Sequence, residues 1–501
     1  MYQPAAVEKT SEQPRSERWK SFTVLFLIEM WERFGYYGMT AVVVLYMVKR
    51  LGYTDDQANL TFGAFVAMAY ASPAVGGWLG DKVLGTRRMT VIGATILALG
   101  YTLLATPGSP LFLSLGVIAV GSGLFKPNPA NLVSKVYEGD QARIDSAFTL
   151  YYMAVNVGST LSQIATPLIA ERVSWHLAFG VCAAGLVLGI VNYFVMGRLL
   201  RHVGSPPDFQ PFPWTKFGLT LLGCLAAVGF VSFVVQNLAV AKAMVWLATL
   251  VMLSIFAMLI SRGTRRERSG LIAVLILTAQ GIIFFIFYQQ MSTSLTLFAD
   301  RSVHLDFLFG YHVPAGQVQA LNPIWIFILS PPLAWLYTAM GKRSGGDLPV
   351  AVKFALGFVV LAIGFFVFAG SGYTAGPDGK VSLWWMILGY GLMSLGELLI
   401  SGLGLAMVAR YVGPKLRGFL MGTWFLATGI SQYLGSYVAT FASVPKDVTD
   451  PHQMLALYMR LYFGLGGVAV AGAIISFALL PLMRRLSTES LQVESAPAAA
   501  A

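Results

Sequence analysis

The sequence predicts an all-α polytopic membrane protein that crosses the bilayer about fourteen times. Of its 501 residues, 56% are hydrophobic and only 11% are charged, and the mean hydropathy is +0.68. Soluble domains carry about 25% charged residues. The apolar residues form runs long enough for a helix to cross a bilayer, which takes about 20 residues. The net charge of +11 lies in loops beside these runs, where it sets orientation and does not indicate nucleic-acid binding.

The apolar runs follow one another along almost the whole chain. We expect a polar cytoplasmic tail over residues 1–20 and a disordered cytoplasmic tail over 486–501. No cleavable signal peptide is expected, so the first helix itself directs insertion. The predicted spans are 21–50, 54–80, 87–106, 109–134, 144–170, 175–200, 214–237, 239–262, 270–300, 316–341, 349–371, 382–412, 416–443 and 453–483.

Lysine and arginine are unevenly divided between alternate loops. The loops at 82–88, 262–268 and 484–485 are rich in them, and the intervening loops hold far fewer. Because basic loops stay in the cytoplasm, both termini are expected there. An even number of spans agrees with this. We therefore expect a multi-pass membrane protein.

Two loops divide the spans into groups. A proline-rich loop at 201–214 and a basic loop at 262–268 enclose a hairpin of two spans, whose one internal charge is Lys242. Six spans precede this hairpin and six follow it. In transporters built from two bundles, the substrate lies near the membrane midplane between the halves. We predict an N-terminal six-helix bundle at 21–202, a linker with two extra transmembrane helices at 203–269 and a C-terminal six-helix bundle at 270–485.

Charged side chains stand inside the first predicted span. Glu29, Glu32 and Arg33 each cost roughly 2.5–3.5 kcal/mol at the centre of a membrane helix. Such residues face the bundle interior or a water-filled cavity and mark an ion or substrate path. Glu29, Arg33 and Tyr37 follow one another at intervals of four and share one helix face. The alternative is a structural ion pair that fixes this helix to its neighbours.

Two isolated charges of opposite sign stand in later spans. Lys126 lies in the fourth span of the first half, and Glu397 lies in the tenth of the twelve bundle spans, in the second half. In a two-bundle transporter they can face each other across the central cavity and pair when it is empty. The alternative is that each is paired locally or extends toward the membrane surface.

The loop after the second predicted span has the sequence GGWLGDKVLGTRR at 76–88. It resembles the cytoplasmic loop signature of the major facilitator superfamily, and this implies the facilitator fold. We expect Asp81 to accept hydrogen bonds from a helix N-terminus or from Arg87 and Arg88, and so to hold a cytoplasmic gate. The alternative is a basic loop that only sets orientation.

Motifs in both halves resemble one family. EMWERFGYYG at 29–38 is similar to the ExxERFxYYG signature of the proton-dependent oligopeptide transporter (POT/PTR2) family, and YYMAVNVGS at 151–159 is similar to its second signature. The resemblance continues at 76–88, around Lys126, and at 319–323, 396–401 and 417–425. It implies a bacterial proton-coupled symporter of the inner membrane that imports di- and tripeptides by alternating access. The alternatives are a related carrier of another small anion or peptide-like drug, and a non-transporting nutrient receptor.

The resemblance also implies roles for individual residues. It implies five proton-coupling residues: Glu29, Glu32 and Arg33 of the coupling motif, and Lys126 and Glu397, which match the family's charged residues of helices 4 and 10. The family's peptide pocket corresponds to Tyr37, Tyr70, Asn156, Asn322, Ser401 and Trp424.

The chemistry of a short peptide favours the same residues. A carrier of many peptides should bind the two charged ends and tolerate the side chains between them. Arg33 and Lys126 can bind the carboxylate, and Glu397 with the amide carbonyls of Asn156 and Asn322 can hold the ammonium. Adaptable apolar walls are expected from Tyr37, Tyr70, Tyr288 and Trp424, although each aromatic can equally be ordinary packing.

Several positions depart from the family pattern, and two of them bear on the proton route. Gln289 stands where many members have a glutamate, and Thr40 stands where many have an arginine. We therefore expect Asp300 to lack an extracellular partner. Which carboxylate carries the proton stays open.

The sequence also limits other functions. Motifs for ATP hydrolysis, peptidase chemistry and metal binding are not found in it, and Cys182 and Cys224 both lie in apolar spans. We therefore expect no enzyme activity and no cofactor, with the proton as the coupling ion. The expected partners are peptides, protons and the lipid bilayer, and a monomer is expected to be functional.

Overall fold

The computed structural model describes residues 15–344, 348–400 and 411–491, which are almost wholly helical. A two-stranded parallel sheet pairs β1 (Val303–His304) with β2 (Val381–Ser382). The helices of the described ranges are α1 (Arg15–Lys49), α2 (Asp55–Ala71), α3 (Pro73–Trp78), α4 (Thr86–Ala105), α5 (Leu111–Phe125), α6 (Pro127–Val136), α7 (Gln141–Arg172), α8 (Trp175–Met196), α9 (Trp214–Gln236), α10 (Leu238–Arg262), α11 (Arg265–Gln289), α12 (Ser294–Ser302), α13 (Leu321–Ser344), α14 (Val350–Gly370), α15 (Leu383–Ile400), α16 (Pro414–Ala439), α17 (Pro451–Ala478) and α18 (Leu480–Leu491).

Eleven helical segments of the described residues are long and apolar enough to cross a membrane. Three further helices, α1, α7 and α16, are 35, 32 and 26 residues long but contain more polar side chains. Eleven and three give the fourteen spans that the sequence predicts. The prediction of an all-α polytopic membrane protein is confirmed.

The ends of some elements differ from the predicted boundaries. α1 begins at Arg15, six residues before the predicted first span. α18 continues to Leu491, so residues 486–491 of the predicted disordered tail are helical. The rest of both predicted tails, residues 1–14 and 492–501, and part of the predicted span at 382–412 lie outside the described residues.

Prolines interrupt two of the membrane segments of the first half. α2 ends before Pro73, and α5 ends before Pro127, because proline has no backbone N–H and its ring collides with the preceding turn. The second break leaves Lys126 at the junction of α5 and α6. The two broken segments touch where Gly76 meets Gly123, and a Cβ at Gly76 would overlap the Gly123 carbonyl oxygen.

Neighbouring helices pack within each half and across the halves. In the first half, α1 lies against α7 and α8, and α4 lies against α5 and α8. In the second half, α14 lies against α15 and α17, and α11 lies against α16. The halves meet where α2 packs along α16. Of the hairpin helices, α9 packs on α5, and α10 packs on α11 and α16.

Ion pairs join the halves where α1 ends and α2 begins, which we call the Lys49 end. Arg301 binds Asp55 through two nitrogens at 2.6 and 2.7 Å, and Lys49 lies 2.5 Å from Asp300. The backbone N–H of Val444 also donates to Asp55, at 3.0 Å. The opposite end of the bundle, where α4 begins, is the Arg87 end.

Candidate functional site

The charged residues of α1 are buried inside the bundle. Glu29, Glu32 and Arg33 are all less than 9% exposed. Nε of Arg33 lies 2.5 Å from a Glu32 oxygen and 3.0 Å from a Glu29 oxygen. The helical interval of four residues brings Glu29 and Arg33 onto one face. The structure therefore brings three of the five predicted coupling residues into one ionic cluster.

The two carboxylates of this cluster have different surroundings. Tyr151 of α7 donates a hydrogen bond to Glu29. Both oxygens of Glu32 are buried, and neither has a well-angled hydrogen bond within the described chain despite its close ionic contact with Arg33. A buried carboxylate is held best when hydrogen bonds complete its coordination. Glu32 is therefore the less well held of the two.

Lys126 lies beside this cluster. Its ammonium is buried and has no hydrogen-bond acceptor among the described residues. It lies 4.0 Å from the ring centroid of Tyr70 and 4.8 Å from that of Tyr36. These cation–π contacts offset part of the cost of burying the charge. A buried ammonium without an acceptor is suited to bind an anion.

Tyr36 connects the two cationic side chains of the first half. The Arg33 guanidinium carbon lies 5.7 Å from the Tyr36 ring centroid, and Lys126 faces the same ring. Lys126 also lies close enough to Glu32 and Glu29 for electrostatic attraction. Two cations and two carboxylates thus share one buried region, and their formal charges sum to zero.

Glu397 supplies a carboxylate from the second half. Asn322 of α13 donates to Glu397 at 2.7 Å and to Ser394 at 3.0 Å. Asn156 of α7 donates to the Tyr152 carbonyl at 2.9 Å. Both amide N–H₂ groups are thus engaged within the protein, so the side-chain oxygens are the atoms by which these residues can accept from a ligand.

The predicted pairing of Lys126 with Glu397 does not occur among the described residues. Lys126 faces Tyr36 and Tyr70, and Glu397 accepts from Asn322. In this conformation the two opposite charges of the halves are therefore not joined to each other.

Aromatic residues from several helices surround these charges. Trp424 of α16 lies 6.2 Å from Phe285, ring centroid to centroid, and closes over Gly281 of α11. Tyr288 packs edge-on against Phe285 at 6.3 Å. Glu397 interacts electrostatically with three of the predicted site tyrosines, namely Tyr37, Tyr70 and Tyr288. Ser401, also predicted to line the pocket, lies outside the described residues.

Three tyrosines at the site were not among the predicted site residues. Tyr36 contacts both cations, Tyr151 binds Glu29, and Tyr152 lies within electrostatic reach of Glu397. Each stands in a tandem Tyr-Tyr pair inside the two signature motifs. The signal was present in the sequence, but the spacing alone did not tell which ring of each pair faces the charges.

Of the two kinds of donor predicted for Asp81, the arginines are wrong, whereas the Thr86 hydroxyl at the N-terminus of α4 donates to it at 3.5 Å. Asp81 accepts from Asn131 at 2.6 Å and lies 3.8 Å from the Lys135 ammonium. Asn131 and Lys135 both belong to α6, so Asp81 connects the loop to the helix that follows the break at Pro127.

Arg87 and Arg88 bind the proline-rich loop instead. Their backbone N–H groups donate to the Asp208 carboxylate at 3.2 and 3.4 Å. The guanidinium groups donate to the backbone carbonyls of residues 200, 207, 208 and 210. The α4 N-terminus favours an anion, and Asp208 supplies it from 120 residues away. The pattern Ser205–x–x–Asp208 is a capping-box signal that sequence reasoning missed.

The expectation that Asp300 lacks a partner is also wrong. Lys49, at the end of α1, lies 2.5 Å from it. Gln289, which stands in place of a carboxylate, donates to Ser436 at 3.0 Å and so joins α11 to α16. Neutral Gln289 therefore has a structural contact of its own, between two helices of the second half.

Comparisons with known proteins agree over most of the chain. The model of the POT family matches residues 87–456. The dipeptide and tripeptide permease A of Pectobacterium carotovorum subsp. carotovorum (strain PC1) is 41% identical over 476 residues, which cover 94% of this chain and 92% of the relative. The dipeptide and tripeptide permease A of Escherichia coli (strain K12) is 41% identical over 485 residues, which cover 96% of each chain.

Solved structures show the same arrangement of helices. A crystal structure of tetrameric PepTSo2 superimposes with a TM-score of 0.85 at 49% identity, covering 94% of this chain and 99% of that one. A crystal structure of a peptide transporter POT in complex with sulfate gives a TM-score of 0.81 at 29% identity, covering 93% and 95%.

Proposed function

Because the chain belongs to the POT family, whose curated relatives are named dipeptide and tripeptide permeases, we propose that it imports di- and tripeptides together with protons. The predicted facilitator fold is confirmed by the superposition on POT transporters. The observation that carries the proposal is the buried set of Lys126, Arg33 and their two carboxylates in the first half, with Glu397 as a buried carboxylate of the second half. No separate observation favours the two alternatives, a carrier of another small anion or peptide-like drug and a non-transporting nutrient receptor.

The separated charges of the site match the two ends of a short peptide. The substrate carboxylate binds at Lys126, whose ammonium has no acceptor among the described residues, and at Arg33. The substrate ammonium binds at Glu397, which Asn322 holds in place. The tyrosines and Trp424 contact the middle of the peptide without selecting one side chain.

The charge balance of the cluster accounts for proton coupling. Glu29, Glu32, Arg33 and Lys126 are neutral in sum, and a substrate carboxylate adds a negative charge to a buried region. Such a charge is costly unless it is compensated. Protonation of one carboxylate restores neutrality and frees part of Arg33 for the substrate. We assign the proton to Glu32, because Glu29 accepts a hydrogen bond from Tyr151 in addition to its contact with Arg33, whereas Glu32 has only its contact with Arg33 among the described residues.

Alternating access uses the two halves as moving units. We take residues 21–202 and 270–485 as these units, with the segment 203–269 as a linker that carries two extra helices. The ion pairs Arg301–Asp55 and Lys49–Asp300 hold the halves together at the Lys49 end. They must break when that end opens. Asp81, Arg87 and Arg88 stiffen the Arg87 end of the first half through their contacts with α6 and the proline-rich loop.

The orientation follows from the distribution of basic residues. The Arg87 end carries the Lys- and Arg-rich loops, so it faces the cytoplasm of a bacterial cell, and the Lys49 end faces outward. Both termini are then cytoplasmic. A single chain is the proposed transport unit, because among the described residues the two halves of one chain supply both the Lys126–Arg33 cluster and Glu397. The proton is the coupling ion in place of a cofactor.

Uptake by the reconstituted protein tests this proposal. Proteoliposomes should accumulate labelled dialanine when an inward proton gradient is imposed and only equilibrate without it. Unlabelled trialanine should suppress the uptake, and free alanine should not. If no di- or tripeptide were accumulated or exchanged, the peptide assignment would be refuted. Exchange without accumulation would refute the coupling alone.

A further inference from the structure

A cavity of about 610 Å³ lies between the hairpin helix α9 and the first half, away from the central site. Its walls come from α2, α3, α5 and α9 and from the π-helical turn Leu79–Leu84. The volume falls in the range of sites that enclose a drug-sized ligand, about 300–1,000 Å³. It is therefore large enough to hold the end of a long hydrocarbon chain.

The cavity wall is apolar, and two of its polar groups are already satisfied. The Ser72 hydroxyl donates to the Met68 carbonyl at 2.7 Å, and the Thr220 hydroxyl donates to the Lys216 carbonyl at 2.8 Å. Ordered water needs two to four polar partners. The wall offers water few such partners, so an apolar chain is the better occupant.

The cavity opens on the lipid-facing side of the bundle. Val75, Trp78 and Leu219 line it and are 58%, 59% and 65% exposed. All three lie in helical segments that are long and apolar enough to cross a membrane. Large apolar side chains exposed at this level contact acyl chains of the bilayer. The molecule nearest the opening is therefore a lipid.

One end of the cavity is positively charged. Lys216, in the first turn of α9, is the one charged side chain among its described lining residues. Trp214, two residues earlier, is 75% exposed, as expected of a tryptophan at the membrane–water interface. The acidic groups of the neighbouring loops are engaged elsewhere, since Asp81 binds α6 and Asp208 binds the α4 N-terminus. Lys216 is thus placed to meet a negative headgroup.

The walls of the cavity are fixed in the protein. Asp208 fastens the loop that leads into α9 to Arg87 and Arg88 of the first half. Further along α9, Ser232 and Val228 pack directly on Gly116 of α5, where a Cβ would overlap the Ser232 hydroxyl. α9 is therefore held at both ends, and the cavity exists before anything enters it.

From these observations we propose that the cavity is a binding site for an anionic phospholipid. One acyl chain occupies the space between α9 and the first half, and the phosphate of the headgroup contacts the Lys216 ammonium. A basic residue beside an apolar cleft on the cytoplasmic side is the arrangement that anionic lipids recognise. The site gives the extra hairpin a function, which is to hold one lipid against the first half.

Native mass spectrometry of the purified full chain tests the proposal. Delipidated protein is titrated with dioleoyl phosphatidylglycerol or dioleoyl phosphatidylcholine, which differ only in the headgroup. One phosphatidylglycerol should bind about five-fold more tightly than one phosphatidylcholine, as expected for one lysine near an anionic headgroup. Equal binding of the two lipids, or retention of neither lipid, would overturn the proposal.

Two pairs of variants locate the site. Lys216→Gln should remove the headgroup preference, whereas Lys242→Gln, at the other end of the hairpin, should keep it. Gly223 lines the cavity and has no atom within 4 Å of a Cβ, so Gly223→Phe fills the cavity and should abolish tight binding. Gly229 on the same helix is equally open but does not line the cavity, so Gly229→Phe should bind lipid normally. Elution of each variant as a single species checks folding, and tight lipid binding by Gly223→Phe would place the lipid elsewhere.

Discussion

The ion pair between Arg301 and Asp55 should control how often the Lys49 end opens. Asp55 is 4% exposed and accepts two hydrogen bonds from Arg301 and one from the Val444 backbone. Breaking a buried pair costs about 3–5 kcal/mol, and the partial exposure of Arg301 reduces this to about 2–3 kcal/mol. Asp55→Asn should therefore shift the population toward the state open at this end by about thirty- to hundred-and-fifty-fold.

Pulsed electron–electron double resonance can measure this shift. Spin labels on exposed positions of the two halves at the Lys49 end should show a longer distance population in Asp55→Asn. Arg301→Gln should give a similar distribution, and the double variant should add little, because both substitutions remove the same interaction.

Lys49→Ala provides the matched control. Lys49 also pairs across the halves, but its side chain is 44% exposed, and exposed pairs contribute about 0.2–1 kcal/mol. Lys49→Ala should therefore increase the population open at the Lys49 end by less than about six-fold. If Asp55→Asn and Lys49→Ala gave the same shift, burial would not determine the strength of this closure and the reasoning would be refuted.

Three further predictions concern the site and its support. Glu32→Gln should abolish proton-driven accumulation of dialanine in proteoliposomes but retain counterflow, because it removes the carboxylate that takes up the proton. In calorimetry, Lys126→Gln should bind dialanine about ten- to hundred-and-fifty-fold more weakly than the wild type, which is the contribution of a hydrogen bond to a charged group. The same variant should bind dialanine amide, which lacks the carboxylate, as tightly as the wild type does. Asp208→Asn should lower the free energy of unfolding by about 2 kcal/mol and the melting temperature measurably, since it weakens bonds to Ser205, Arg87 and Arg88. As the control, Asp378→Asn alters a half-exposed carboxylate and should change the free energy of unfolding by no more than about 0.5 kcal/mol.

Each of these predictions has a contrary result. Gradient-driven accumulation by Glu32→Gln would remove that residue from coupling. An equal loss of dialanine and dialanine amide by Lys126→Gln would mean that the ammonium supports the fold and does not bind the carboxylate. A wild-type melting temperature for Asp208→Asn would mean that the proline-rich loop contributes no stability.

Sequence reasoning was most successful where chemistry depends on spacing along one helix. Glu29 and Arg33 are four residues apart, and helical geometry alone places them together. The breaks at Pro73 and Pro127 were not predicted, since the spans at 54–80 and 109–134 were expected to be continuous; proline chemistry explains both, and the second accounts for the position of Lys126. The number of spans follows from hydropathy, since the bilayer requires long apolar helices.

Sequence reasoning failed where the partner lies far along the chain. Arg87 stands six residues from Asp81, but folding brings Asp208 to it instead. Asp300 pairs with Lys49 because α1 and α12 end at the same level of the bundle, and no local pattern reports that meeting. Such contacts depend on how helices of different halves are arranged, which the period of a single helix does not specify.

The central claim is that a proton enters with each peptide because the buried cluster is neutral before the substrate binds. Dialanine is a zwitterion without net charge, so one accompanying proton gives the transported pair one positive charge. A membrane potential of 100 mV, negative inside and without a pH gradient, corresponds to about 2.3 kcal/mol for that charge. The account predicts that this potential alone drives labelled dialanine toward about fifty-fold accumulation in proteoliposomes. Uptake that does not respond to the potential would contradict it.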